Sequence, residues 1–155
     1  MNNALLFTAF NVNLTLVYRM IQRESPLTIR LHRIKQHETP FGNSLECMKI
    51  LFTTVTIFMG VPVAFLWGSV IFIPYMVYWY VTVLWWKYFA SCNFDKCTFA
   101  SVVPSILLLL CMTYFFNTHP VVVYTWMVPL WWSCYTSYLS IWYKHSYAKT
   151  SFILS

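Results

Sequence analysis

The feature that most constrains this chain is a run of 37 residues, from Ile50 to Trp86, without one Asp, Glu, Lys, Arg or His. Two more runs follow, 21 residues from Thr98 to Thr118 and 24 from Pro120 to Tyr143. Uncharged stretches longer than about 18 residues read as membrane spans. The whole chain, 155 residues, is 59% hydrophobic and 9% charged, where a soluble domain carries about 25% charged residues. Its mean hydropathy is +0.60.

The first run is too long for one helix. At 1.5 Å per residue it would reach roughly 55 Å, against a hydrocarbon core of about 30 Å. Gly68-Ser69 is the one place in it with turn chemistry, which splits it into spans near 50–67 and 70–86. The second run gives a span near 98–116. Asn117-Thr118-His119-Pro120 is a turn, since Pro120 lacks a backbone N–H and disfavours helical angles at His119. The last span is about 121–143. The sequence thus predicts an all-α integral membrane protein with four transmembrane helices, arranged as two hairpins with both termini on the inner side. A basic segment, 1–49, precedes the four-helix domain, 50–143, and a short inner tail, 144–155, follows it.

The charges agree with the split. Arg19, Arg23, Arg30, Arg33, Lys35 and Lys49 precede the spans, Lys87 and Lys96 lie between the second and third, and Lys144 and Lys149 follow the fourth. All ten then face the inner side, the distribution expected of cytoplasmic or matrix loops. Aromatic residues meet lysines where the spans should end, at Trp85-Trp86-Lys87 and Trp142-Tyr143-Lys144, with Trp67 at the outer end of the first. This pattern predicts Trp85, Trp86, Lys87 and Lys144 at lipid headgroups.

Within 1–49, Ala4 to Tyr18 is apolar but short and interrupted by Asn11 and Asn13. It reads as an interfacial helix or, alternatively, as a fifth span near 4–21 that moves the N-terminus outside. Asn13-Leu14-Thr15 matches a glycosylation sequon; its modification would favour five spans. Ser25-Pro26 then starts a second helical pattern, with Leu27, Leu31 and Ile34 spaced by four and three and Arg30, Arg33 and Lys35 around them, until Thr39-Pro40-Phe41-Gly42 stops it. Such a basic amphipathic helix suits anionic headgroups, although a solvated basic loop accounts for the same residues. The basic residues follow the first apolar stretch instead of preceding it, unlike a cleaved signal peptide. The arginine-rich stretch 18–36 has something of a mitochondrial presequence, so the mitochondrial inner membrane and the endoplasmic reticulum both remain candidate compartments.

The chemical motifs are few. No ionisable residue falls within the four expected spans, which argues against proton pumps and ion-coupled carriers. Cys92 and Cys97 could join Cys47, His32 or His37 on zinc, but no second matched pair accompanies them. They read as loop thiols or acylation sites. No metal, cofactor or nucleic acid is expected.

Packing signals are richer. Thr56, Gly60, Ala64 and Gly68 repeat every four residues, a ridge of small side chains that lets another helix approach. Ser101 and Ser105 repeat that spacing in the third span. Ser133, Thr136, Ser137 and Ser140 make a hydroxyl stripe in the fourth. Pro62, Pro74, Pro104 and Pro129 put one kink-forming residue in each span. Trp131 and Trp132 lie mid-span, where their indole N–H groups need acceptors.

From these features the leading expectation is a non-catalytic membrane subunit or assembly factor of a larger complex, whose partners are lipids and other membrane subunits or further copies of itself. A small oligomeric channel lined by the hydroxyl stripe is the alternative. A lipid-handling membrane enzyme using His32, His37, Cys92 or Cys97 is the third reading.

Overall fold

The computed structural model describes residues 3–23, 45–66, 68–91 and 93–154. Among them are five α-helices and no strands: α1 (Asn3–Arg23), α2 (Leu45–Leu66), α3 (Ser69–Ala90), α4 (Phe94–Phe115) and α5 (Pro120–Leu154). The basic pattern at 25–42, with Arg30, Arg33 and Lys35, lies outside the described residues, as does Trp67.

The turns fall where the sequence places them. Gly68, extended at φ −106°, caps α3, and its carbonyl accepts from the amides of Ile71 and Phe72 at 3.2 and 3.0 Å. Pro120 opens α5, a position where its missing N–H costs nothing. The His119 amide closes the preceding turn on the Phe115 carbonyl at 2.9 Å. Asn93 caps α4 by accepting from the Lys96 amide, and Asp95 adds a negative charge in the first turn, where the helix dipole favours it.

The helices overrun the expected spans. α2 starts at Leu45 and α4 at Phe94. α5 does not stop at Tyr143 but continues to Leu154, because 144–154 contains neither Gly nor Pro to end it. By length and apolarity together, one helix among the described residues, α4, meets the requirement for crossing a bilayer; the apolar part of α2, Ile50–Leu66, is shorter. The sequence reading counted four. The difference has a chemical source: α3 is loaded with Tyr and Trp and α5 with Ser and Thr, which are uncharged but not strongly apolar.

α4 and α5 form the most extensive pair, followed by α3 with α4 and α2 with α5. α2 and α3, although joined by the shortest turn, touch each other sparingly, and α1 packs chiefly on α3. The core is aromatic, with Trp79, Trp126, Tyr75, Tyr78 and Tyr143 fully buried. Pro62, Pro74, Pro104 and Pro129, one inside each of α2 to α5, are buried as well.

Candidate functional site

α1 occupies the splayed gap between α2 and α3. Phe7 stacks on Tyr75 with ring centroids 5.5 Å apart, and Phe10 tilts against the same ring. The Tyr75 hydroxyl donates to Asn11 Oδ1 at 2.7 Å, while Asn11 Nδ2 donates to the Phe7 carbonyl. Farther along, Leu14, Thr15 and Arg19 come beside Trp79, Thr82, Val83 and Trp86 of α3 and Phe52, Thr53, Thr56 and Ile57 of α2. Rising numbers in α1 therefore meet rising numbers in α3. α1 runs parallel to α3 and antiparallel to α2, instead of lying across the end of the bundle as an interfacial helix would.

The ridge of small residues takes on a definite role here. A Cβ built on Gly60 would stand 3.4 Å from Phe7 Cζ, so this face of α2 receives the Phe7 ring of α1. Thr56, one turn away, lines the space below, its hydroxyl donating to the Phe52 carbonyl at 2.8 Å. Ala64 is partly buried. Gly68 lies past the end of α2 and belongs to the turn, so the ridge is shorter than its spacing implied.

The hydroxyl stripe is internal. Ser133, Thr136 and Ser140 are buried, and Ser137 is half-buried. Thr136 and Ser137 donate to the Ser133 carbonyl, and Ser140 donates to that of Thr136. Ser140 Oγ in turn accepts the Trp85 indole N–H at 3.0 Å, joining α5 to α3. On α4, Ser101 is buried and donates to the Thr98 carbonyl, and Ser105 donates to the Ser101 carbonyl.

Two tryptophans expected at lipid headgroups are buried. Trp85 and Trp86 are 3% and 7% exposed, packed inside the bundle. Trp85 stacks on Phe89 and hydrogen-bonds Ser140, and Trp86 sets its edge against Phe52. Ring partners for both, and the Ser140 acceptor for the Trp85 N–H, accompany their inward placement. Lys87 and Lys144 are exposed, and Lys144 pairs with Asp95 at the same end of the bundle. Of the two mid-helix tryptophans, Trp132 is buried, whereas Trp131 is half-exposed and stacked on Tyr135. Trp126, which the sequence did not single out as a tie, donates to the Met59 carbonyl at 3.3 Å and bolts α5 to α2.

Between α1, α2 and α3 this packing leaves a cleft of about 530 Å³, within the range of roughly 300–1,000 Å³ typical of ligand sites. Phe52, Ile57, Val83 and Leu14 give it apolar walls; Asn11, Thr15, Thr53, Thr56 and Thr82 give it polar ones; Arg19 stands exposed at one end. Trp79 also lines it, fully buried. The Tyr75 hydroxyl is close to the Trp79 indole, yet the N–H makes no hydrogen bond among the described residues. The sequence reading missed this cleft. Its signal is the spacing of Phe7, Asn11 and Leu14, by four and three, which marks one face of a packed helix with a polar residue at its centre.

No three of His, Cys, Asp and Glu gather among the described residues. Cys92, His32 and His37 lie outside them, as does the Cys47 side chain, while Cys97 is buried and faces the Trp85 carbonyl. The arrangement offers binding groups: a cation, an indole donor, hydroxyls and apolar walls. Comparison with known protein families, characterised proteins and solved structures finds no match.

Proposed function

We propose that this chain is a five-span integral membrane protein, N-terminus outer and C-terminus inner, that serves as a non-catalytic packing subunit or assembly factor of a larger membrane complex. The observation that carries the membrane reading is the outward face of α4 and α5. Phe99, Ile106, Leu110 and Tyr114 on α4, and Tyr124, Met127, Trp131 and Tyr138 on α5, are all exposed along the length of the bundle. An apolar surface of that extent needs lipid or protein against it.

Two features support five spans over four. α1 has 21 residues, about 31 Å at 1.5 Å per residue, close to the hydrocarbon thickness, and it lies alongside α3. No Lys or Arg precedes Arg19, so moving the N-terminus outward leaves all ten basic residues inside. Asn11 would be costly alone in lipid; it is paired with Tyr75.

The subunit reading rests on the contrast between interior and exterior. Inside, hydrogen bonds from Trp85, Trp126 and Tyr75 tie the helices to one another. Outside, large aromatic and aliphatic side chains present a ready contact surface. The hydroxyl stripe that a channel would require is packed within the chain. The test is gentle-detergent extraction and native sizing of the tagged protein, with mass spectrometry of what co-migrates. A large particle of defined composition supports the reading; a monomer in every mild detergent removes it.

A further inference from the structure

We infer that the cleft between α1, α2 and α3 holds one anionic glycerophospholipid, with its phosphate at Arg19 and an acyl chain against Phe52, Ile57 and Val83. The inference rests on the membrane reading above and deepens it by naming the occupant. Three observations on different atoms converge on it.

The first is charge. Among the described residues lining the cleft, Arg19 is the one ionisable group, and none of them is a carboxylate. It lies toward the end of the bundle where Trp86 and Lys87 approach the C-terminal end of α3, the side on which every Lys and Arg collects in the proposed topology. Anionic lipids favour the basic inner face, and a guanidinium takes a phosphate through two parallel hydrogen bonds.

The second is the buried donor. Trp79 is 0% exposed, and beyond the neighbouring Tyr75 hydroxyl its N–H has no acceptor among the described residues. A buried donor without an acceptor is unfavourable. A glycerol ester carbonyl entering from the cleft is an acceptor of the right kind, and phospholipids carry it between phosphate and chain.

The third is the state of the hydroxyls. Thr56 and Thr82 donate to the carbonyls of Phe52 and Tyr78 in their own helices. They therefore present methyl groups and acceptor lone pairs, not donors, to an occupant. Among the described lining residues, Arg19 and the tryptophan indoles are the strongest donors to an oxygen-rich ligand. A neutral apolar molecule would leave both unused, and a helix from another protein satisfies its own backbone and offers neither phosphate nor ester.

The experiment uses the full chain, purified in detergent, stripped of lipid, and mixed with phosphatidylglycerol or phosphatidylcholine for native mass spectrometry. The expected result is a single adduct with phosphatidylglycerol preferred. Arg19→Gln should lower that preference about tenfold, as expected for the loss of one charged hydrogen-bonded contact. Arg19 is exposed, so this variant keeps its fold. Thr56→Trp, which fills the cleft, should abolish the adduct with either lipid. Equal retention of both lipids, unchanged by Arg19→Gln, would overturn the inference. So would a protein partner or second copy that stays bound and is not displaced by phosphatidylglycerol. Alkaline carbonate extraction separates the two proposals: a chain that washes off membranes ends the membrane reading, whereas one that resists washing but shows no lipid preference ends this inference alone.

Discussion

Gly60 shows how much one missing side chain can place. Phe7 Cζ sits 3.4 Å from where its Cβ would be, an ordinary van der Waals distance, so Gly60→Ala should be tolerated. Gly60→Leu would push its branched end into the Phe7 ring and separate α1 from the bundle. Overpacking of this kind costs about 1–3 kcal/mol, and it should appear as a lower Tm in lipid nanodiscs together with new labelling of a cysteine placed at Phe7. A second residue-scale test concerns the hydroxyl stripe. Ser140→Ala leaves the buried Trp85 N–H without its acceptor and should cost about 1–3 kcal/mol. Ser137→Ala removes a hydroxyl that only bonds back to its own helix, and should change stability by less than about 0.5 kcal/mol. Equal effects from the two alanines would show that the Trp85–Ser140 tie carries no particular weight.

Among the elements, the turns were readable in advance and the partners were not. Gly68-Ser69 and His119-Pro120 fixed their turns through local backbone chemistry, which a sequence states directly. The destination of Trp85 and Trp86 is a tertiary matter: a Trp-Trp-Lys run looks the same whether its rings meet headgroups or find Ser140 and Phe52 across the bundle. The partner of α1 was hidden for a related reason. Asn11 and Asn13 interrupt its apolar pattern, yet Asn11 is matched by a tyrosine 64 positions away, a pairing that no local window contains. Asn13 lies in the middle of α1, so in the five-span topology its sequon is at membrane depth and its modification no longer separates the two topologies. Tyr75→Phe should loosen α1 by about 0.6–2 kcal/mol, the range for hydrogen bonds between membrane helices. Hydrogen–deuterium exchange of α1 amides would detect it, with α4 and α5 unaffected. Asp95→Asn, by contrast, removes an exposed pair with Lys144 and should shift stability by at most about 1 kcal/mol.

For the whole molecule, the uncharged runs are the basis of the membrane reading, and α4, long and apolar enough to cross a bilayer, and the outward apolar faces of α4 and α5 support it. What it left undecided was the number of crossings, because the charge pattern fits four and five spans equally well: every Lys and Arg follows the α1 stretch or sits at its inner end. The orientation of α1, parallel to α3, is the support for the proposed five. It also creates the cleft, since a helix lying across the bundle end would leave no space between Asn11, Thr56 and Trp86. The odd number of crossings is therefore the central claim, and it can be measured directly. Small epitope tags at the two termini would be probed in sealed membranes, before and after permeabilisation, with a membrane-impermeant antibody or protease. Five spans predict that intact membranes expose one tag and protect the other. Both tags exposed together, or both protected together, would return the chain to an even number of spans and contradict the account.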